Sequence, residues 1–327
     1  MNCLVTGGAG FIGSHLVRML LHNEYDVRVL DNFSTGKKEN IEALPIEMLE
    51  GDIRDPEAVQ SAMQGIDYVF HLAALASVGR SIKDPLTTHA VNTTGTLTVL
   101  EAAHRAGVKR VVYAASSSAY GNVPVLPKVE SAKPEPASPY AVSKLTGEYY
   151  CQVYMQTFGL ETTCVRYFNV FGPRQDPKSE YAAVIPRFID NALKGDAPII
   201  YGDGMQSRDF TYVDNAVQAT ILAAFVPAAA GNVFNVACGE RRNLLELIDI
   251  LEDLLADRIE SVFEDARPGD VKHSQADIEL AKAILGYYPE ATFKQGLKET
   301  VEWFRGVHAL QQRSKKEISL STSQLAV

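Results

Sequence analysis

The sequence predicts an α/β protein: a doubly wound parallel sheet followed by a smaller, mostly helical C-terminal lobe. Short apolar runs alternate with helical segments up to about residue 170, as in successive β-α-β units. The first apolar run, residues 3–6, leads into the turn Gly-Gly-Ala-Gly-Phe-Ile-Gly at 7–13 and then into an amphipathic helix. A strand, a glycine turn and a helix in this order are typical of a Rossmann-type dinucleotide-binding fold.

Composition narrows the class of protein. The chain has 327 residues, 46% of them hydrophobic, enough for one large or two ordinary domains. A net charge of −9 gives no basic footprint for nucleic acid. The four cysteines form no Cys-x-x-Cys and the seven histidines no His-x-x-x-His, so neither disulfides nor a metal site is indicated. With no leader and no apolar run near the ~20 residues of a membrane span, we expect a cytoplasmic protein without membrane contact.

Each glycine of the first turn has a physical role in binding a dinucleotide. Gly7 allows the tight turn, Gly10 lets the backbone approach a pyrophosphate, and Gly13 lets helix and strand pack closely. The pyrophosphate would face the N–H groups at the helix N-terminus. The spacing is Gly-x-x-Gly-x-x-Gly, which differs from the commoner Gly-x-Gly-x-x-Gly.

The second strand ends in a carboxylate suited to a ribose. Asp31 lies 24 residues after Gly7, can accept from both ribose hydroxyls and would repel a 2′-phosphate. NAD is therefore favoured over NADP. Lys37 and Lys38 leave the phosphorylated cofactor open, because cations after this strand could hold its phosphate.

The following strand ends supply further candidates. Asp52 could meet the adenine amino group, and Tyr68–Ala74 is a strand that runs into small residues beside which a cofactor can lie. His71 is expected to pack within it. The fifth strand, Val108–Ala115, delivers three hydroxyls, Ser116–Ser118. Ligands bind at the carboxyl ends of strands in such sheets, so these serines are candidate site residues.

A tyrosine and a lysine four positions apart are the candidate reacting pair. Ser138 is a suitable N-cap and Pro139 fits the first turn of a helix. On that helix Tyr140 and Lys144 share one face. A free tyrosine titrates near ~10, and a neighbouring ammonium is expected to lower the pKa of Tyr140. The pair could therefore act as a general base near neutral pH.

Beyond the sixth strand, Thr162–Arg166, the alternation loosens. We expect a division into residues 1–170, which bind the dinucleotide, and 171–310, a substrate lobe, with residues near 210–236 returning to the first part. Residues 311–327 are expected to be a disordered tail. The elements expected in the second half are helices at Val184–Lys194, Asn243–Leu255, Asp277–Leu285 and Lys294–Phe304 and a sheet strand at Val233–Val236.

These features together resemble the extended short-chain dehydrogenase/reductase family over about residues 1–305. Within it the chain looks like UDP-sugar 4-epimerases, most closely those that act on N-acetylated UDP-hexosamines. The segments that carry the resemblance are Ala-Ser-Ser-Ser-Ala-Tyr-Gly at 115–121, Arg-Tyr-Phe-Asn-Val-Phe-Gly at 166–172, Arg-Asp-Phe at 208–210 and Arg-Pro-Gly-Asp at 267–270.

The resemblance implies catalytic roles for three residues. Tyr140 would take the proton from the sugar 4-hydroxyl, and Lys144 would hold the nicotinamide ribose. Ser116 matches the hydroxyl residue that bonds the reacting oxygen, although spacing alone does not decide which of the three serines lies closest. The full candidate set for NAD is Gly7, Gly10, Phe11, Ile12, Gly13, Asp31, Asn32, Ser34, Thr35, Gly36, Asp52, Ile53, Leu72, Ala73, Ala74, Asn92, Tyr140, Lys144, Tyr167 and Val170.

The resemblance also implies a UDP-sugar site. Arg208 and Arg267 match arginines that bind the diphosphate, for which a guanidinium is well suited. Asn169 matches a substrate-binding amide and Asp270 a ligand of the uridine ribose. In related epimerases a bulky residue at the position of Ser274 is thought to restrict N-acetyl sugars, so serine implies that they fit. The remaining candidate substrate contacts are Ser117, Ser118 and Val184.

The implied reaction is NAD-dependent 4-epimerisation of UDP-N-acetylglucosamine and UDP-N-acetylgalactosamine. A hydride leaves sugar C4, a 4-keto sugar turns over, and the hydride returns to the other face. UDP-glucose and UDP-galactose stay open as further substrates.

Three other functions share some of these sequence features. A UDP-uronate 4-epimerase is the nearest, because Arg80 and Lys83 could meet a carboxylate. A 4,6-dehydratase is disfavoured, since serines at 117 and 118 replace the acids that it needs. A non-catalytic NAD-binding regulator is less favoured, because Tyr140 and Lys144 are both present.

The helices at 85–106 and 139–157 match those that pair in related dimers, so we expect a homodimer.

Overall fold

The computed structural model describes residues 1–177, 183–266 and 272–324, with side chains up to residue 312. The strands, in chain order, are β1 (Asn2–Thr6), β2 (Asp26–Asp31), β3 (Glu47–Glu50), β4 (Tyr68–His71), β5 (Arg110–Ser116), β6 (Glu161–Tyr167), β7 (Val170–Phe171), β8 (Ile199–Tyr201), β9 (Ser207–Arg208), β10 (Thr211–Tyr212), β11 (Val233–Val236), β12 (Arg242–Asn243) and β13 (Val262–Glu264). The helices are α1 (Phe11–His22), α2 (Pro56–Ala62), α3 (Val78–Lys83), α4 (Pro85–His89), α5 (Gly95–Ala106), α6 (Pro139–Phe158), α7 (Val184–Lys194), α8 (Val213–Phe225), α9 (Leu244–Leu255) and α10 (Phe293–Gln324).

The centre of the protein is a seven-stranded parallel sheet in the order β3-β2-β1-β4-β5-β6-β11. The chain starts in the middle at β1, moves outward to β3, and then returns to fill the other side from β4. The direction of winding therefore reverses between β1 and β4, which is where such sheets bind ligands. The predicted fold class, a doubly wound Rossmann-type sheet with a helical C-terminal lobe, is confirmed.

Both faces of the sheet are covered by helices. Along β5 the side chains alternate: Val111 and Tyr113 enter the core shared with α2, α5 and α6, whereas Val112 enters the core shared with α1 and α8. This alternation follows from the two-residue repeat of a strand. A sheet buried on both faces needs strands that are almost continuously apolar, as in Arg-Val-Val-Tyr-Ala-Ala-Ser at 110–116.

The apolar core of the smaller lobe is continuous with the core on the α1 and α8 face of the sheet. Apolar side chains of α7, α9 and α10, such as Phe188, Leu247 and Phe304, belong to the same buried cluster as those of α1 and α8. β11 pairs with β6 in parallel, so the chain returns from this lobe to the sheet. The division into residues 1–170 and a discontinuous lobe at 171–310 stays a prediction.

Two segments differ from the sequence prediction. The helix expected at 85–106 contains a π-helical turn, Ala90–Thr94, and the helix expected at 277–285 begins at residue 279 and ends in a π-helical turn, Ala281–Leu285. The backbone of α10 is helical through 311–324, and the disordered tail at 311–327 stays a prediction. No glycine or proline follows Gly306, so nothing in the local sequence breaks this helix.

Helix α6 is fixed to the sheet by a buried ion pair. Arg166 on β6 donates to both carboxylate oxygens of Glu148, at 2.9 and 2.7 Å, and both side chains are 4% exposed. Such a bidentate pair fixes orientation as well as distance. At the preceding residue, a side chain at Gly147 would lie 2.3 Å from the Tyr113 hydroxyl, so only glycine lets α6 lie this close to β5.

We expect Glu148→Gln to lower the free energy of unfolding by about 3 kcal/mol, because it leaves the Arg166 cation buried without its counter-charge. Urea denaturation measures this loss. Glu161→Gln is the matched control: it removes the partner of Arg110, but Glu161 is half-exposed and Arg110 keeps carbonyl acceptors at 223, 224, 226 and 227. We expect the control to cost less than about 1 kcal/mol, and equal losses in the two variants would contradict the role of the buried pair.

Candidate active site

One cleft of about 1120 Å³ follows the carboxyl ends of the parallel strands. It begins at the glycine turn after β1 and ends between the sheet and the smaller lobe. Nearly all residues singled out from the sequence line this cleft. The exceptions are Asp52 and Asn92, which bond elsewhere, Val184, which lines an adjoining pocket, and Arg267 and Asp270, which lie outside the described residues.

The glycine turn brings the backbone close to its neighbours. Gly7 has φ of +74°, and a side chain there would lie 2.7 Å from the Ala73 nitrogen. A side chain at Gly13 would lie 2.2 Å from the Gly7 carbonyl oxygen. Gly10 caps α1 without a side-chain hydrogen bond, so the first N–H groups of the helix face the cleft. This arrangement offers backbone donors and a favourable helix dipole to an anionic group.

The carboxylate of Asp31 is held at the edge of this cradle. It accepts hydrogen bonds from the backbone N–H of Ala9 at 2.9 Å and of Phe33 at 2.8 Å. Burial raises the pKa of Asp31, and these two bonds lower it. The loop that follows, 32–36, lines the same end of the cleft. Lys37, which the sequence left open as a phosphate ligand, forms an ion pair with Asp176 at 3.1 Å.

Two residues predicted to contact the cofactor bond protein groups in this structure, and their cofactor contacts stay a prediction. The carboxylate of Asp52 is bound by the guanidinium of Arg54 and the amide of Asn32, at 2.7 and 2.8 Å, and the Arg54 bond lowers the pKa of Asp52. Ile53, the next residue, lines the cleft instead. The sequence could not show this, because a short-range partner two residues away competes for the same carboxylate.

Asn92 is the second of these residues. Its side chain accepts from the Leu75 N–H at 2.8 Å and donates to the Leu75 carbonyl at 3.2 Å and to the Ser143 hydroxyl at 3.1 Å. It therefore ties the loop after β4 to α6 and does not reach into the cleft. As expected from the sequence, His71 packs in the interior: it bonds the Thr6 and Thr96 hydroxyls, and burial lowers its pKa to about 3.

The candidate reacting pair, Tyr140 and Lys144, lies where the end of β5 packs against the start of α6. Ser138 caps α6 by accepting from the Ala141 N–H at 3.1 Å, and Tyr140 is in the first turn. Lys144 is buried and donates to the Ala114 carbonyl oxygen at 2.7 Å. Burial lowers the pKa of Lys144 to about 8, while the carboxylate of Glu148 opposes this.

The surroundings of Tyr140 act on its pKa in two opposing directions. Burial raises the pKa of Tyr140, and the opposing influence is a hydrogen bond with Ser116. The Lys144 ammonium is bound to the Ala114 carbonyl, two residues before the end of β5. Both groups lie in a buried setting, where the charged form of each is penalised. The spacing of the two residues gave their common face correctly but not this environment.

The three serines at the end of β5 have different partners. The Ser116 hydroxyl accepts from the Ser118 N–H at 3.2 Å, and Ser116 is the serine that lowers the pKa of Tyr140 against the effect of burial. Among the described residues, the Ser118 hydroxyl oxygen is buried without a hydrogen-bond partner. All three serines line the cleft, so the assignment of Ser116 to the reacting oxygen stays a prediction.

The far end of the cleft is made by the smaller lobe. Arg208 on β9 donates to the carbonyl oxygens of Ser207 and Lys272, at 3.0 and 3.2 Å, and lines both the cleft and an adjoining pocket of about 250 Å³. This pocket is mainly apolar and includes Val184 and Phe188. A cation at the entrance of an apolar pocket suits a ligand with an anionic middle and a flat base.

Other predicted residues lie between these two ends. Asn169 donates to the Asp209 carbonyl at 3.1 Å, and the Tyr167 hydroxyl bonds Thr220 at 2.7 Å. The Ser274 N–H donates to the Ser207 carbonyl at 3.0 Å, which holds the segment at 272–274 beside β9. The cleft is therefore closed on one side by sheet residues and on the other by this segment.

Sequence reasoning missed two buried charged residues at this end. Asp209 accepts from the N–H groups of Cys238, Gly239 and Ala276, at 2.9 to 3.1 Å, and burial raises its pKa to about 7. Lys128 lines the cleft from the loop before α6. The position of Asp209 inside Arg-Asp-Phe was a signal; Lys128 offered none, because a lone lysine in a polar loop is usually solvated.

The chain belongs to the NAD dependent epimerase/dehydratase family, whose sequence profile matches residues 3–237. It is 40% identical over 304 residues to a putative UDP-glucose 4-epimerase of Methanocaldococcus jannaschii, covering 92% of this chain and 98% of the relative.

Two solved structures are similar over almost their whole length. The UDP-glucose 4-epimerase of Thermotoga maritima with UDP-glucose has a TM-score of 0.90 and 40% identity, covering 94% of this chain and 99% of that one. The UDP-N-acetylglucosamine 4-epimerase of Methanobrevibacter ruminantium in complex with UDP-N-acetylmuramic acid has a TM-score of 0.89 and 42% identity, covering 93% and 98%.

Two further observations concern partners. Within the parts of the chain that the structure describes, no helix combines the length and the apolar composition that crossing a membrane requires. The same residues contain no group of three or more His, Cys, Asp or Glu side chains placed to hold a metal ion.

Proposed function

We propose that this protein is an NAD-dependent UDP-sugar 4-epimerase that acts on UDP-N-acetylhexosamines. The observation that carries the proposal is the single cleft, which joins the glycine cradle, the Tyr140–Ser116 contact and Arg208. The relatives named UDP-glucose and UDP-N-acetylglucosamine 4-epimerases support the reaction type. The cytoplasmic location remains a prediction from the sequence.

The residues present fit NAD. The close approaches at Gly7 and Gly13 leave room for a pyrophosphate against the backbone, and the N–H groups that begin α1 would bind it. Asp31 would accept from the adenosine ribose and repel a 2′-phosphate, and Lys144 would hold the other ribose. When bound, NAD supplies the acceptor and donor for the hydride at sugar C4.

The chain's own residues handle the proton and the orientation of the sugar. Tyr140 would take the proton from the 4-hydroxyl and give it back after the sugar has turned. The hydrogen bond from Ser116 favours the phenolate form of Tyr140, which makes it a better base. Ser117 and Ser118 stand where elimination of water would need an acid and a base, so the hydroxyls favour epimerisation over dehydration.

The smaller lobe would hold the UDP group while the sugar turns. Arg208 would bind the diphosphate, and the apolar pocket beside it would take the uracil. Asn169 lines both the cleft and this pocket, as Arg208 does, and would bind the substrate where the two cavities meet. Arg267 and Asp270 stay as predictions for the second diphosphate contact and the uridine ribose.

A UDP-uronate is the second candidate substrate. The unpartnered Ser118 hydroxyl and the guanidinium of Arg80, both in the cleft, would offer donors to a carboxylate. A non-catalytic NAD-binding protein is less well supported, because Tyr140 and Lys144 are both present and both line the cleft.

The first test is incubation of the purified protein with UDP-N-acetylglucosamine, UDP-glucose and UDP-glucuronate in separate NMR samples, without added NAD. We expect the anomeric proton signals of the 4-epimer with the N-acetylated substrate, since the cofactor is regenerated in each turnover.

Tyr140→Phe should retain NAD but lose about 10²-fold or more of kcat, because it removes the proton acceptor.

Tyr288→Phe is the matched control, since Tyr288 is 62% exposed and lines neither the cleft nor the adjoining pocket, and it should keep normal turnover. Near-normal kcat in Tyr140→Phe would contradict the role of Tyr140. Binding of NAD without conversion of any UDP-sugar would favour the non-catalytic alternative.

The width of the substrate site is tested at Ser274. This residue lines the cleft, and its backbone is bonded to Ser207, so a larger side chain must occupy the cleft itself. We expect Ser274→Tyr to lower kcat/KM for UDP-N-acetylglucosamine about tenfold more than for UDP-glucose, as a steric clash of roughly 1.4 kcal/mol would produce. Ser274→Ala should leave the ratio unchanged. An equal effect of the tyrosine on both substrates would contradict the role of residue 274 in limiting the size of the substrate.

We also propose that the protein is a homodimer. On α6, Val142, Tyr149 and Val153 lie along one face at helical spacing and are 50%, 53% and 46% exposed. Leu86 on the adjacent α4 is 82% exposed. An apolar stripe of this kind is typical of an interface between helices.

Light scattering at micromolar concentration should give twice the chain mass of 35.8 kDa. Val153→Glu should shift the protein toward the monomer, because it would bury a carboxylate in the interface. Lys133→Glu, which changes an exposed residue on the loop before α6, is the control. A monomeric mass for the unchanged protein would overturn the proposal.

A further inference from the structure

A buried lysine that has no role in the proposed chemistry lines the cleft. Lys128 is 6% exposed and comes from the loop between β5 and α6. Lysine is almost never this buried unless it is paired. The proposed epimerisation uses Tyr140, Lys144 and Ser116 and leaves this ammonium without a function.

The backbone of Lys128 is fixed from two sides. Its N–H donates to the Gln275 carbonyl at 2.8 Å, and its carbonyl accepts from the Asp277 N–H at 2.8 Å and the Asn235 amide at 2.9 Å. The same stretch of chain carries Ser274. Lys128 and Ser274 therefore belong to one wall of the cleft, opposite the end of β5.

The ammonium itself is only partly satisfied. It donates to the carbonyl oxygen of Val123, one acceptor for three N–H donors. Burial lowers the pKa of Lys128, and the carboxylate of Glu135 opposes this from a distance. Among the contacts of the described residues, Lys128 forms no ion pair with Glu135 or with any other carboxylate.

A buried cation with a neutral partner costs free energy that the rest of the fold must supply. Such a cost is understandable when the missing acceptors arrive with a ligand. Lys128 lines the cleft that holds Tyr140 and Ser118, but it does not line the apolar pocket proposed for the uracil. The ligand group within its reach is thus the one nearest the reacting tyrosine.

We propose that Lys128 binds the substrate by donating a hydrogen bond from its ammonium to an oxygen of the hexose. This inference rests on the proposed function, which places the sugar beside Tyr140. The shared chemistry is an oxygen acceptor, which an N-acetyl carbonyl, a hydroxyl or a uronate carboxylate can supply. A carboxylate would gain most, because a charge-assisted hydrogen bond is about twice as strong as a neutral one.

The test is calorimetric binding of UDP, UDP-N-acetylglucosamine and UDP-glucuronate to the NAD-loaded protein and to Lys128→Met. Methionine keeps the length of the side chain and removes the charge. We expect UDP to bind the two proteins within about twofold, since it lacks the sugar, and the UDP-sugar that is the substrate to bind the variant about tenfold more weakly, as loss of one charged hydrogen bond would produce. A larger loss for UDP-glucuronate than for UDP-N-acetylglucosamine would identify a carboxylate as the partner, and the reverse an N-acetyl or hydroxyl oxygen.

Lys133→Met is the matched control, because Lys133 is on the same loop and exposed; it should bind all three ligands normally. Should Lys128→Met fail to fold, Lys128→Gln keeps an N–H donor for Val123 and removes the charge. The proposal is overturned if the variant binds every ligand as the unchanged protein does, or if UDP and the UDP-sugars weaken equally, which would indicate a structural tie. Binding does not require turnover, so absence of epimerisation would count against the proposed function and not against Lys128.

Discussion

The contact of α6 with the sheet is the constraint on which the rest of the site depends. Glu148 and Arg166 meet in a region closed to water, where an ion pair is stable only with both partners and their geometry in place. Gly147 allows the helix to approach Tyr113. With that depth and rotation fixed, Lys144 reaches the Ala114 carbonyl and Tyr140 lines the cleft beside the end of β5. The candidate reacting centre is thus assembled from the end of a strand and the beginning of a helix.

The other side of the cleft depends on a second buried acid. Asp209 gathers three backbone N–H groups from two separate segments, at 238–239 and at 276. Its neighbour Arg208 is bonded to the carbonyl oxygens at 207 and 272. The wall that carries Ser274 and Lys128 is therefore held by main-chain hydrogen bonds, which leaves its side chains available to shape the substrate site. A rigid wall of this kind suits a reaction in which the sugar must move while the diphosphate stays.

The outcome of particular residues shows how far sequence patterns reach. Gly7, Gly13 and Asp31 are local features, since a turn, a helix start and a strand end are all set by nearby residues, and the structure places them together as expected. Asp52 and Asn92 have protein partners that spacing did not predict: Arg54 and the loop at Leu75 bond their polar atoms. The choice of partner depends on three-dimensional distance, which spacing does not contain.

The doubly wound sheet and the common face of Tyr140 and Lys144 could be predicted from the sequence, because they follow from repeats of two and 3.6 residues. The glycine cradle could be predicted from the spacing of Gly7, Gly10 and Gly13 after a strand. Packing in three dimensions accounts for the burial that raises the pKa of Tyr140 and for the position of Lys128 in the cleft. These depend on how residues far apart in the chain exclude water from one another. Solvent exclusion is a property of the packed molecule, and no local pattern of residues records it.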